Sequence, residues 1–193
     1  MARWPGRGVS PEHFRGALGE VWFAPTRFFR RLDPEGGLLR PALFASAVMY
    51  LNLLLETVLQ AVWTGELTYA LLYAPLLGFV VSIVLAPLLV AGLASLVLVV
   101  LDGAPSRRRF VPVFRALGYA SGIGVVLWVP YGPLVALPYG LLVATVAVRE
   151  VLGLAWSRAA LATLLPLAAA LLAVFLLSGP GDAYDLLRNP PGS

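Results

Sequence analysis

Residues 41–63 read PALFASAVMYLNLLLETVLQAVW, and this stretch decides the class of protein. It contains a single side chain that is charged at neutral pH, that of Glu56. As an α-helix it would be about 34 Å long, which exceeds the bilayer hydrocarbon core of about 30 Å. We therefore expect residues 41–63 to cross a membrane.

The composition of the whole chain agrees with a membrane protein. Of the 193 residues, 60% are hydrophobic and 12% are charged, whereas soluble domains carry about 25% charged residues. The chain has no cysteine, which excludes disulfides, zinc–thiolate sites and thiol catalysis. The basic N-terminal residues are not followed by the apolar segment of a signal peptide, so the first span is expected to direct membrane insertion.

The next uncharged run, residues 67–101, is too long for one span and too short for two. The arginines at 107–109 mark its far end as cytoplasmic, because short cytoplasmic loops are rich in arginine. One span at about 78–101 satisfies this rule. Residues 67–77 then form an external lead-in with a break at Pro75.

Residues 115–149 carry no charge between their terminal arginines, and VPYGP at 129–133 divides them as a hairpin turn would. The predicted arms are residues 112–129 and 132–149. Each arm is short for a complete crossing, so the hairpin either spans with snorkelling arginines or is re-entrant. Both alternatives return the chain to the cytoplasmic side.

A last span at about 159–177 and a short external tail at 178–193 complete the prediction. The expected fold class is an all-α polytopic transmembrane bundle of about five spans over residues 41–177, with a cytoplasmic N-terminus and an external C-terminus. This topology places every arginine except Arg188 on the cytoplasmic side. The expected location is a bacterial cytoplasmic membrane.

The cytoplasmic segment at 1–40 is predicted to contain an amphipathic helix at about 11–32. A helical wheel of VWFAPTRFFRRL, residues 21–32, separates an apolar arc from a basic side. The arc includes Trp22, Phe28 and Phe29, whereas the basic side consists of Arg27, Arg30 and Arg31, and Phe23 falls off the arc. Such a helix either lies in the headgroup layer or packs its aromatic face on the transmembrane bundle.

Three short motifs give the chain a family resemblance. They are VWFAPTRFFRRLDP at 21–34, FVPVFRALGYASG at 110–122 and GLAWSRAALA at 153–162. With these motifs the chain resembles bacterial members of the Yip-domain family over roughly residues 20–177. The resemblance implies a small five-span membrane protein. Eukaryotic relatives are associated with membrane trafficking and small GTPases through a longer cytosolic region.

Asn52, Glu56 and Gln60 recur every fourth residue and therefore share one face of the first span. An ionisable group at the bilayer centre costs about 2.5–3.5 kcal/mol, and such groups usually face the bundle interior. The face either joins helices through side-chain hydrogen bonds or forms a site for a proton, a cation or a lipid headgroup.

Arg107, Arg108 and Arg109 form a basic loop at the expected inner surface. The loop either anchors the topology or binds anionic lipids together with the arginines of residues 27–31. Because the arginines already have this topological use, nucleic acid is a poor explanation of the basic isoelectric point. We expect no nucleic-acid partner.

Gly118 and Gly122 lie one turn apart in the third predicted span. Small residues at this spacing are typical of close helix packing, either within the chain or between the copies of a homo-oligomer. No metal-ligand cluster, nucleophile–base pair or phosphate-binding glycine loop occurs in the sequence. We therefore expect no catalytic residues, no metal and no cofactor.

The leading hypothesis is a non-enzymatic integral membrane protein that acts as a scaffold, a membrane-shaping factor or an accessory partner of other membrane machinery. Its expected partners are the lipid bilayer, including anionic lipids, and an unidentified membrane protein. The alternative is transport of lipid or a small solute along the face of Asn52, Glu56 and Gln60. An intramembrane enzyme is a third and weaker hypothesis, because nothing in the sequence nominates a reactive group.

Overall fold

The structure is a computed structural model, and it describes residues 11–33, 36–65, 73–104, 107–166 and 168. These residues form helices joined by short turns, and none of them lies in a β-strand. Three parts of the sequence prediction lie outside the described residues. They are residues 67–72 of the lead-in, the second half of the last predicted span, and the tail at 178–193.

The helical elements of the described chain follow one another with short connections. They are α1 (Pro11–Phe23), α2 (Pro25–Arg30), α3 (Leu39–Thr64), α4 (Ala74–Asp102), α5 (Arg107–Ala120), a 3₁₀ helix (Ser121–Val126) and α6 (Gly132–Leu152). A further helix, α7, occupies residues 156–166. The residue that directly follows each of α3, α4 and α6 is a glycine at positive φ, a conformation that glycine adopts without a Cβ penalty.

Three of these helices, α3, α4 and α6, are long and apolar enough to cross a membrane. α3 covers the predicted first span, and α4 is one continuous helix of 29 residues that includes the predicted second span. Pro75 lies in the first turn of α4 rather than at a break, where its missing N–H leaves no helical hydrogen bond unmade. The structure thus confirms an all-helical chain with long apolar helices.

The two arms of the predicted hairpin are unequal. α5 has 14 residues, about 21 Å of helix, and the chain then tightens into the 3₁₀ helix. Gly122 and Gly124 favour this change, because glycine destabilises an α-helix interior by about 1 kcal/mol relative to alanine. The other arm, α6, has 21 residues and is long enough to span. The count of five spans therefore stays a prediction.

Helices α3 and α5 occupy the centre of the described bundle. Both pack on α4 and on each other, α5 also packs on α6, and α3 also packs on the 3₁₀ helix. One core cluster joins α1 and α2 to α3, α5 and α6, and includes Phe29 and Phe44. A second cluster joins α4 to α5, α6 and α7, and includes Leu98 and Phe114.

Helix α4 packs on its neighbours along a narrow seam. The buried side chains recur mostly every fourth residue, and they are Ser82, Ala86, Val90, Ala94, Val97 and Leu98. α4 has more large exposed hydrophobic side chains than either α3 or α6. We call the remaining surface the outer face of α4, and its large exposed side chains include Leu77, Val80, Val84, Leu88, Leu89 and Leu96. An apolar surface of this extent is typical of contact with lipid or with another protein.

Candidate functional site

Trp22 of the N-terminal segment is joined to both arms of the hairpin. Its indole Nε1 donates a hydrogen bond to the carbonyl oxygen of Gly122 at 3.1 Å. The Tyr139 hydroxyl donates a hydrogen bond to the carbonyl oxygen of Trp22, and the two ring centroids lie 5.7 Å apart. α1 is therefore held on the bundle by polar as well as apolar contacts.

Phe28 and Phe29 lie in the core below this contact, with exposures of 7% and 1%. The Phe28 ring meets Tyr119 edge-on at a centroid distance of 5.3 Å, and Tyr119 lies 5.2 Å from Phe44 of α3. Of the two alternatives for the aromatic face, these contacts match packing on the bundle. Phe23, which falls off the helical-wheel arc, is 89% exposed.

The predicted helix at 11–32 is divided into α1 and α2 by a break at Ala24. The φ and ψ of this residue, −146° and 51°, are not helical. Proline at position 25 explains the break, because a proline disfavours the helical conformation of the residue before it. The break allows Trp22 and Phe29 to meet different parts of the bundle.

The basic side of the segment is exposed, and the side chains of Arg30 and Arg31 make different contacts. Arg30 Nε forms an ion pair with Glu150 Oε2 at 3.1 Å, whereas Arg31 Nε donates to the carbonyl oxygen of Arg27 at 3.3 Å. The side chain of Glu150 is only 9% exposed and also pairs with Arg149 at 3.1 Å. Glu150 thus ties α2 to α6, a role that the sequence pattern did not indicate.

The predicted basic loop at 107–109 forms the first turn of α5 rather than an irregular connection. Arg108 and Arg109 are exposed, and Arg109 forms an ion pair with Asp102 at the end of α4, with 2.8 Å between Nη1 and Oδ1. The side chain of Arg107 lies outside the described part of the chain. A joint lipid patch of these arginines with those of residues 27–31 stays a prediction.

Arg115 is a buried cation that the sequence analysis used only as a marker of the membrane boundary. Its Nη1 donates a hydrogen bond to the carbonyl oxygen of Gly37 at 2.8 Å. A Cβ at Gly36 would lie 2.0 Å from the same nitrogen, so the backbone of this linker lies directly on the guanidinium. Arg115 therefore fixes the connection between α2 and α3 on α5.

Gly118 and Gly122 are packed inside the chain. A Cβ at Gly118 would lie 2.8 Å from the Cβ of Pro41, and one at Gly122 would lie 3.1 Å from the Phe44 ring. These distances are shorter than ordinary van der Waals contact, so both positions allow α5 and the 3₁₀ helix to approach α3 closely.

Asn52 joins α3 to the turn of the hairpin. Its Oδ1 accepts a hydrogen bond from the backbone N–H of Trp128 at 3.2 Å, and its Nδ2 donates to the carbonyl oxygen of Val48 at 2.9 Å. Asn52 is thus the member of the predicted polar face that makes a contact between helical elements, as the first of the two alternatives for that face requires.

Glu56 and Gln60 are exposed and line an open groove of about 410 Å³ between α3 and the hairpin turn. The aromatic residues of the same groove are Trp63, Trp128 and Tyr131. The three polar residues of the face therefore divide into one that makes a structural hydrogen bond and two that line a groove.

Other polar groups of the described chain make structural contacts. The hydroxyls of Thr145 and Thr163 lie 2.7 Å apart where α6 meets α7, and each also bonds a helical carbonyl. Among the residues that the structure describes, no group of three or more histidine, aspartate or glutamate side chains could hold a metal ion. The groove beside Glu56 combines a carboxylate with aromatic side chains, an arrangement that suits binding.

Comparison with known proteins agrees with the fold. The family model of the Yip1 domain matches residues 19–177, a region that begins within α1 and includes α2 through α7. No match was found among curated proteins or among solved structures. Because the matched region covers well over half of the chain and contains its long apolar helices, the chain belongs to the Yip1 domain family of membrane proteins.

Proposed function

We propose that this protein is a non-enzymatic membrane scaffold or accessory factor, and that the outer face of α4 is the surface on which another membrane protein docks. The observation that carries the proposal is the narrow seam of α4. Most of this 29-residue helix is apolar and uncovered by the described chain.

The shape of the outer face supports a helix partner. Lipid tails are as apolar as leucine, so helices associate within a membrane through close packing rather than through the hydrophobic effect. Gly92 supplies a place for such packing, because a Cβ there would meet no atom within 4 Å. It lies between the exposed side chains of Leu88 and Leu96, one turn away on either side.

On the hairpin side of the bundle, α1 and α2 already cover the apolar surface, whereas the described chain leaves the outer face of α4 uncovered. Trp22 and Phe29 pack on the hairpin arms, so this side offers less open apolar surface.

The exposed arginines Arg27, Arg31 and Arg108 support a cytoplasmic surface that contacts anionic lipids, with each arginine contributing about 1 kcal/mol near the membrane.

We also propose the five-span topology with the N-terminus in the cytoplasm of a bacterial cell. The distribution of arginine supports it, since Arg188 alone falls outside. In this topology α5 and the 3₁₀ helix cross the membrane as a shortened arm, and the bilayer thins locally to accommodate the mismatch.

The proposal is tested by affinity purification of the tagged protein from native membranes in a mild detergent. The double variant Leu88→Ala, Leu89→Ala changes the outer face of α4, and Leu134→Ala, Leu137→Ala changes a similarly exposed part of α6. We expect the wild type and the α6 variant to retain the same protein partner and the α4 variant to lose it. Retention of no partner by the wild type, or equal loss in both variants, would contradict the proposal.

A further inference from the structure

The groove beside Glu56 combines one carboxylate with several aromatic rings. Its lining includes Glu56 and Gln60 of α3, Trp63 near the end of α3, and Trp128 and Tyr131 of the hairpin turn. The groove holds about 410 Å³, within the range of about 300–1,000 Å³ that small-molecule sites occupy. No arginine is among the described residues that line it, and the one charged group among them is the Glu56 carboxylate.

The backbone at Tyr131 is strained. Tyr131 has a φ of 65° and is the only residue other than glycine with positive φ in the described chain. A bulky side chain is rare in this conformation because its Cβ crowds the backbone. The turn is nevertheless closed on both sides, by Gly132 N–H to Val129 O at 2.7 Å and Leu134 N–H to Tyr131 O at 3.1 Å. Strained residues of this kind cluster at binding sites.

Tyr131 is also 81% exposed, at the edge of the groove. Burial in a core therefore does not account for the ring. Asn52 fixes the other side of the turn, since its Oδ1 accepts the backbone N–H of Trp128. Asn52 lies one helical turn before Glu56, so the residue that holds Trp128 and the carboxylate belong to the same face of α3.

We propose that this groove binds an alkylated ammonium group, with the Glu56 carboxylate neutralising its charge and the rings of Trp63, Trp128 and Tyr131 contacting its methyl groups. Aromatic faces attract such cations through the ring quadrupole, and aromatic residues around a cation are the known means of recognising choline-like groups. The group belongs either to a free solute or to a lipid headgroup. The proposal is independent of the scaffold role, because it involves α3 and the hairpin turn rather than the outer face of α4.

Two simpler accounts fit the groove less well. Tryptophan and tyrosine are common at membrane interfaces, but that tendency does not explain a carboxylate among them or a tyrosine at positive φ. An anion site would need a cation or an array of N–H donors, and no lining residue is an arginine. Charge and aromatic lining together therefore favour an organic cation.

The test is a titration of the intact protein with choline chloride by isothermal calorimetry, in nanodiscs of phosphatidylglycerol, which has no ammonium group. We expect saturable binding that potassium chloride at the same concentration does not displace. In nanodiscs of phosphatidylcholine, loss of choline binding assigns the site to a lipid headgroup, and unchanged binding assigns it to a free solute. Both of these results support an ammonium site.

Variants separate the site from general effects of charge. Glu56→Gln and Trp63→Leu are each expected to weaken choline binding about tenfold or more, because a charge partner or a cation–π ring is lost. Their matched controls, Asp102→Asn and Phe23→Leu, change an acid that is paired with Arg109 and an exposed ring. Neither residue lines the groove, so both controls should bind as the wild type does. Tyr131→Gly should weaken binding while leaving thermal stability unchanged or higher, since glycine relieves the positive φ.

The proposal is overturned if choline shows no saturable binding in phosphatidylglycerol nanodiscs. It is overturned equally if potassium chloride at the same concentration displaces the bound choline. It is also overturned if Glu56→Gln binds choline as tightly as Asp102→Asn does. Thermal unfolding of each variant, followed in the same nanodiscs, identifies any loss of binding that comes from unfolding.

Discussion

Gly118 is the residue that sets the distance between α3 and α5. A Cβ there would lie 2.8 Å from the Cβ of Pro41 and 3.1 Å from the Pro41 carbonyl oxygen. Both atoms belong to a proline in the first turn of α3, so neither can rotate away as the end of a flexible side chain would. At Gly92 of α4, by contrast, an added Cβ would meet no atom within 4 Å.

Gly118→Ala is therefore expected to lower the free energy of unfolding by about 1–3 kcal/mol, the usual cost of overpacking a close contact. Gly92→Ala should leave stability unchanged or raise it by up to about 1 kcal/mol, because alanine is the better helix former. Thermal unfolding of the two purified variants in the same detergent measures the difference. Equal shifts of the two melting temperatures would show that the α3–α5 contact is not as close as described.

The spacing of residues predicted where polar groups lie but not what they contact. The interval of four residues placed Asn52, Glu56 and Gln60 on one face, and the structure divides them between a hydrogen bond to Trp128 and an open groove. The partners of Arg115 and Glu150 are a backbone carbonyl and an arginine that lie 78 and 120 residues away in the chain. Contacts over such separations depend on the tertiary fold, and one sequence contains no pattern that reveals them.

At the scale of elements, α1 and α2 belong to the bundle although they precede its first long helix. Phe28 and Phe29 bury their rings against α3, α5 and α6, and Trp22 is hydrogen-bonded to the hairpin. The helical wheel placed Trp22, Phe28 and Phe29 on one apolar face, but a lipid surface and a protein surface select the same periodicity. The break at Ala24 was readable from Pro25, because the residue before a proline avoids the helical region.

Phe29→Ala is expected to release this segment from the bundle. Removing a fully buried phenylalanine costs about 3–5 kcal/mol, whereas Phe23→Ala removes an exposed ring and should cost little. Limited trypsin digestion in detergent measures the release through cleavage at Arg27 and Arg31. We expect faster cleavage in Phe29→Ala than in Phe23→Ala, and identical rates would place the segment outside the core.

Long apolar runs in the sequence predicted the positions of α3 and α4 well, but they predicted the lengths of the hairpin arms less well. The runs are long enough for hydrophobicity alone to specify a helix, and helix α4 differs from its prediction mainly by an earlier start at Ala74. The segment at 112–129 shortens into α5 and a 3₁₀ helix because glycine weakens the α-helix there. Composition cannot show how far such a segment reaches across a bilayer.

At the scale of the molecule, the described bundle has two different sides. On the hairpin side, α1 and α2 cover the apolar surface and Glu150 ties α2 to α6. On the other side, α4 meets its neighbours along a narrow seam, and the described chain leaves its outer face uncovered. This difference between the two sides is the basis of the proposed scaffold role.

The most direct test of that role places a photoreactive diazirine analogue of leucine at Leu89 on the outer face of α4, with Leu98 in the seam as the buried control. Mass spectrometry then identifies the adducts formed by purified protein in lipid vesicles and by the same protein in native membranes. We predict lipid adducts at Leu89 in vesicles, their replacement in native membranes by adducts with one other membrane protein, and adducts within the chain at Leu98 in both. Lipid adducts at Leu89 in native membranes as in vesicles would contradict the account.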